Sequence, residues 1–243
     1  MTGAHNHGMI VTGTDTGVGK TIVTAALVTA LQAHGFDAGI MKPVATGISS
    51  DSHDSDPDWL VSVTGCRDDL ELVSPYRLNL PAAPWVAARH EGLALDVERI
   101  LKAFHTLSAR HDCLIVEGIG GLLVPLSDDL FIVDLIARMK MPVLIVSRVA
   151  LGSINHTLLT VECLKRRGIP ILGVIFNHLS PPLQTMELEE TVQTILHLSG
   201  LQSFGELPFC EGLPGTWARH RDQLVKAVDT QELLQALKLS ARA

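Results

Sequence analysis

The stretch that most limits what this chain can fold into is Thr12-Gly13-Thr14-Asp15-Thr16-Gly17-Val18-Gly19-Lys20-Thr21. It closes an apolar run, Met9–Gly13, and opens the amphipathic stretch Lys20–His34. A strand that breaks into a glycine-rich loop and resumes as a helix brings backbone N–H groups close to an anion. The following helix adds the positive end of its dipole. Gly19-Lys20-Thr21 completes a phosphate-binding loop: Lys20 reaches toward β- and γ-phosphates, and the Thr21 hydroxyl is placed for Mg²⁺. Thr16, Gly17, Val18 and Gly19 are the expected nucleotide contacts between them. One departure is plain: the strict pattern G-x-x-x-x-G-K-[ST] calls for glycine at position 14, where this chain has Thr14, with Gly13 one residue earlier.

The remainder of the chain repeats the alternation that this loop begins. Short β-branched runs at Met9–Gly13, Ala38–Lys42, Cys113–Glu117, Val143–Ser147 and Ile171–Asn177 predict strands. Longer periodic stretches at Lys20–His34, Val97–Arg110, Asn155–Arg167, Thr185–Leu198 and Thr230–Leu239 predict helices. Strands apolar at nearly every position are covered on both faces, so the expectation is an α/β P-loop NTPase fold. Its sheet is mostly parallel, with helices on both sides. Leu27, Leu31, Leu158, Leu159 and Leu164 fall at helical spacings that predict core positions. The stretches 48–58, rich in Asp and Ser, and 75–84, with its prolines, predict loops. With 243 residues, the expectation is a flexible tail at 1–8, carrying His5 and His7, and one domain at 9–243.

Composition removes several classes of function. A hydrophobic fraction of 47% supplies a packed interior and argues against disorder. The net charge of −7 speaks against a general nucleic-acid surface. No apolar run approaches the roughly 18 residues of a membrane span, and no secretory signal is apparent, so a cytoplasmic location is expected. The cysteines at 66, 113, 163 and 210 lack zinc spacing, and Cys113 and Cys163 lie in apolar runs suited to buried free thiols.

Strand ends carry the remaining candidates, because ligands bind at the carboxyl edge of such sheets. Lys42 ends one strand and is followed by Pro43; it suits an anion at that edge, and an exposed surface lysine is the plainer alternative. Glu117 ends another strand; it suits Mg²⁺, with a capping or salt-bridged glutamate as the alternative. Gly118, Gly120 and Gly121 leave space beside it. Asn177 closes a third strand with an amide able to donate and accept, as an adenine edge requires, or to form a turn. Gly152-Ser153-Ile154-Asn155 precedes a helix, where Ser153 or Asn155 would cap it or the free N–H groups would meet an anion.

Five segments in order resemble the dethiobiotin synthetase family. The loop is the first. The others are Met41-Lys42-Pro43-Val44-Ala45-Thr46-Gly47, Val116-Glu117-Gly118-Ile119-Gly120-Gly121, Leu151-Gly152-Ser153-Ile154-Asn155-His156 and Gly205-Glu206-Leu207-Pro208. The resemblance implies an ATP- and Mg²⁺-dependent enzyme acting on a diamine, 7,8-diaminopelargonic acid, and CO₂. It implies that Lys42, with Thr46 nearby, holds the carbamate and γ-phosphate, and that Thr14 and Gly118 meet the substrate. It further implies that Asn177 and backbone near Pro208 hold the base. The resemblance also implies an aspartate that joins Thr21 and Glu117 at the metal, and counting back from Gly65 favours Asp56, with Asp58 as rival. Ser153 and Asn155 would reach the partner's substrate carboxylate, which implies a homodimer with shared sites. The chain departs from the family at Ala83-Pro84-Trp85, which suggests a reshaped pocket, and at Gly17, which is acidic in some members.

Two rivals share the loop. A cobyrinate-synthase-like ligase carries a second, glutamine-hydrolysing domain, for which 243 residues leave no room. A ParA-like partition or switch ATPase carries an extra early lysine, where this chain has Asp15.

Overall fold

The structure, a computed structural model, describes residues 7–48, 55–181 and 185–239. His5, Asp51 and Asp54 of the stretches named above lie outside them. The chain begins β1 (Gly8–Gly13), α1 (Lys20–Ala33), β2 (Ala38–Met41) and β3 (Val44–Thr46). Next come α2 (Asp56–Thr64), α3 (Leu70–Val73), β4 (Tyr76–Leu78), α4 (Pro84–His90), α5 (Val97–Ser108) and β5 (Cys113–Glu117). The remaining elements are α6 (Ile132–Met139), β6 (Val143–Arg148), α7 (Ser153–Arg166), β7 (Ile171–Asn177), α8 (Thr185–Ser199), β8 (Ser203–Leu207), α9 (Trp217–Lys226) and α10 (Thr230–Ala236).

Six strands form one sheet in the order β2-β5-β1-β6-β7-β8, each pair parallel, and β3 pairs with β4 in a small second sheet. Alternation of side chains then divides the core in two. Ile10, Leu114, Val116, Val143 and Ile145 face a layer that includes Phe104 of α5, Ile136 of α6 and Leu164 of α7. Met9, Val11, Ile115, Leu144 and Val146 face the opposite layer, with Leu27 and Leu31 of α1, Leu60 of α2, and Leu224 of α9. Both faces are therefore dry, and the open, polar part of the sheet is its edge.

Several local expectations are corrected. Gly8 belongs to β1, pairing opposite Leu114, rather than to a tail. Leu159 is exposed, not core, because it lies on the outward face of α7; Leu158 is only partly covered. The stretch 48–58 already contains the first turn of α2, capped by Ser55 and opened by Pro57, and ends as a helix at left-handed Gly65. The stretch 75–84 contains β4 and the start of α4. The cysteines are free thiols, and burial pushes that of Cys113 up to about 12.

Candidate active site

Parallel strands carry all their carboxyl ends to one edge, and register decides which residues meet there. Met41 lies opposite Val116, and Val11 opposite Glu117. Lys42, one residue past β2, therefore stands beside Glu117, and the loop after β1 stands on the other side of that glutamate. Lys42 Nζ donates to Glu117 Oε1 at 2.8 Å and to Asp56 Oδ2 at 2.5 Å, while the Thr21 hydroxyl donates to the same Glu117 oxygen at 2.8 Å. Lys42 is 4% exposed and Glu117 1%. The surface-lysine alternative is gone, and Glu117 is salt-bridged as well as placed at the site.

The loop itself has the geometry of an anion cradle. Gly19 caps α1 with φ 90°, a left-handed conformation that favours glycine, and no side chain occupies the first-turn N–H groups. A Cβ at Gly19 would sit 2.0 Å from Asn177 Nδ2, and one at Gly13 would sit 2.7 Å from Lys20 Nζ. The loop thus tolerates no side chain at either point. Lys20 arches back over it, donating to the Asp15 carbonyl at 3.0 Å. Thr14 N–H donates to Val146 O at 3.1 Å, fastening the loop to β6.

These groups border one cavity of about 370 Å³. Thr16, Gly17, Gly19, Lys20 and Thr21 line it from the loop; Lys42, Thr46 and Asp56 from the β2–α2 side; Glu117 and Gly118 from β5. A larger concavity of about 670 Å³ opens between α3 and α5, but its charged residues Asp69, Glu71, Arg99 and Lys102 are all exposed, and it lacks the buried convergence of charge seen at the strand ends.

The two lysines are tuned in opposite directions. Burial pulls the Lys20 ammonium down to about 8, with nearby Lys42 adding to the effect and Glu117 opposing it. Burial would lower Lys42 too, but Glu117 and Asp56 outweigh it, and the pKa is raised. Lys42 is a fixed cation.

The residues present suit a hard divalent cation. Glu117 Oε2 is buried with no hydrogen-bond partner among the described residues, and the Thr21 hydroxyl and the Asp56 carboxylate border the same cavity. Asp58, the rival, turns away: it pairs with Arg77 at 2.7 Å and bonds the Ser55 hydroxyl.

Other expected residues lie outside the cavity lining. Val18 is buried, and its carbonyl accepts from Asn177 Nδ2 at 3.0 Å. Asn177 is thus neither a turn nor a free amide; it ties the end of β7 to the loop. Pro208 directly follows β8, half-buried. Neither Ser153 nor Asn155 caps α7, since Gly152 does. Ser153 is buried and its hydroxyl accepts from Ala150 N–H at 3.1 Å, so of these two polar side chains it is Asn155 that is exposed. Trp85 is not among the residues that line this cavity; Arg89 lies over its ring at 5.3 Å. Three lining residues were not anticipated, Ile22, Trp59 and Pro214. The spacing of Trp59 from Asp56, three residues along one helix, is the signal that would have found it.

Comparison with known proteins agrees with this architecture. Residues 7–215 match a family described as AAA domain. An ATP-dependent dethiobiotin synthetase of Anaeromyxobacter dehalogenans (strain 2CP-C) is 48% identical over 174 residues, covering 72% of this chain and 78% of that protein. The counterpart from Thermodesulfovibrio yellowstonii is 41% identical over 212 residues, covering 83% and 88%. Among solved structures, the MinC:MinD cell division protein complex of Aquifex aeolicus aligns with a TM-score of 0.59 at 15% identity, covering 97% of each chain. A ParA family ATPase from Chlorobium tepidum TLS aligns at 0.54 and 17%, covering 93% and 99%. The structural likenesses carry the fold alone; the sequence relatives carry more.

Proposed function

The chain belongs to the dethiobiotin synthetase family and is an ATP-dependent ligase of the kind that serves biotin biosynthesis, and from that premise we propose that it carboxylates and cyclises 7,8-diaminopelargonic acid. One amine of the diamine attacks CO₂ and loses a proton, giving a carbamate. A carbamate oxygen attacks the γ-phosphorus of ATP and ADP departs, leaving a carbamic–phosphoric mixed anhydride. The second amine attacks the carbamoyl carbon, phosphate leaves with the C–O bond, and loss of the amine proton completes the ureido ring.

The observation that carries this proposal is the meeting of Lys20, Lys42 and Glu117 in one cavity. Lys20 and the loop N–H groups hold the phosphates. Lys42, kept charged by its carboxylates, holds the carbamate oxygen against the γ-phosphate, and Thr46 adds a hydroxyl donor. Mg²⁺ held by Thr21, Glu117 and Asp56 would offset charge on the phosphate oxygens. With one Asn177 N–H spent on Val18, its carbonyl oxygen and second N–H serve the base, together with backbone near Pro208. Thr14 and Gly118 border the substrate.

A homodimer with shared sites is part of the same proposal. Asn155 and Leu159, four residues apart, share one face of α7, Leu151 lies in the turn just before that helix, and all three are exposed. Two exposed leucines flanking a polar side chain suit a second copy that receives Asn155 at its substrate carboxylate.

Phosphate release with ATP, Mg²⁺ and bicarbonate, measured with and without the diamine, tests the activity. One phosphate and one dethiobiotin per ADP are expected. Turnover that ignores the diamine and rises with DNA would instead place the chain with partition ATPases.

A further inference from the structure

The cavity has a polar floor and an apolar outer wall, and only the floor has been assigned chemistry. The wall is made by Trp59, Ile22 and Pro214. Trp59 lies one turn beyond Asp56 on α2, so the residue facing Lys42 and the indole share a helix face. Its ring meets that of Trp217 edge to face, centroids 5.5 Å apart and planes at 84°, and Trp217 is buried in the layer that covers α1. Helix α1 packs against both α2 and α9. The two tryptophans therefore join α2, above α1, to α9, the helix that follows residues 208–216.

A nucleotide seated in the loop must leave it on one side with its sugar and base. The β2–β5 side is filled by Lys42, Glu117 and Asp56, three charged groups already bonded to one another. The Ile22–Trp59–Pro214 wall offers apolar surface, and Pro214 belongs to the segment running on from Pro208. We propose that Trp59 is a nucleoside-recognising residue: its indole, fixed by Trp217, packs with Pro214 against the ribose and base end of the nucleotide, an inference that rests on the reading of this cavity as the ATP site. Aromatic contact of this kind gives affinity to the nucleoside and none to the phosphate chain.

Binding of ATP and of inorganic tripolyphosphate to the intact protein, with Mg²⁺, separates these parts. Trp59→Ala weakens ATP about tenfold and leaves tripolyphosphate unchanged, while Trp59→Phe holds ATP within about threefold of the parent. Should the alanine variant fail to fold, Trp59→Leu keeps volume against Trp217 without an aromatic face, and the same selective loss of ATP is expected, at several-fold. Equal weakening of both ligands would make Trp59 a support for Asp56 and overturn the proposal, as would unchanged ATP affinity. A parent protein that binds neither ligand would overturn the ATP-site reading itself, and this inference with it.

Discussion

Lys20 and Lys42 border the same cavity and are held there by opposite means. Lys20 belongs to a loop of backbone and glycine; its ammonium touches a single carbonyl, and burial leaves it at about 8. Lys42 belongs to a wall of side chains; two carboxylates grip it, and its pKa is raised. On the proposed reading, the loop side exchanges its one backbone partner for a ligand's phosphates. The wall side is a charged cluster already satisfied, apart from the free oxygen of Glu117. A phosphoryl transfer site needs both: a cation that follows the phosphate, and one that stays while charge moves past it.

The contrast is sharpest under mutation. Removing the loop cation, Lys20→Ala, should lower turnover on the order of 10³-fold with folding intact, read as diamine-dependent phosphate release beside a thermal melt. Removing the fixed one does two things. Lys42→Met should slow turnover by about 10²-fold and also destabilise the fold by about 3 kcal/mol, since Glu117 is left charged and buried without its partner. Adding Glu117→Gln should return much of that stability in denaturant titrations and none of the activity. A Lys42→Met protein as stable as the parent would break the comparison.

Asn155→Ala comes next. The diamine KM should rise about tenfold, as for loss of one hydrogen bond to a carboxylate, with ATP binding unchanged; the reverse pattern rejects its assignment. pH then distinguishes the lysines without mutation. As pH rises through about 8, the nucleotide-free protein loses the Lys20 proton, while bound phosphates favour the charged form. ATP binding should therefore take up a proton and weaken several-fold between about pH 7 and 9. Lys20→Arg, charged throughout, should flatten that slope. Calorimetry in buffers of different ionisation enthalpy reads the proton directly. The smallest effect expected is that of Asp58→Asn, which touches Arg77 rather than the cavity; turnover should stay within about twofold.

What could be read from the sequence follows the same division. The loop was legible because its function is local: strand, glycines, Gly-Lys-Thr and helix are contiguous. Lys42 and Glu117 were legible because a parallel sheet sends every strand end to one edge. Trp59 and Pro214 were missed because they reach one cavity only after the fold brings distant parts of the chain together, as the Trp59–Trp217 contact does. The strands β3 and β4 have three residues each, too few for alternation to register, and β8 carries Gly205 and Glu206 amid its apolar positions. Leu159 misled because helical spacing names a face without saying whether that face meets the core or the outside.

The central claim is that nucleotide phosphate and carbamate meet between the two lysines. It is tested most directly by a crystal structure with a β,γ-methylene ATP analogue, Mg²⁺, the diamine and bicarbonate. The account predicts the terminal phosphate within hydrogen-bond reach, about 3 Å, of both Lys20 Nζ and Lys42 Nζ, with the carbamate oxygen on the Lys42 side. A terminal phosphate that touches Lys20 while Lys42 stays locked to Asp56 and Glu117, out of reach of every ligand atom, would contradict it.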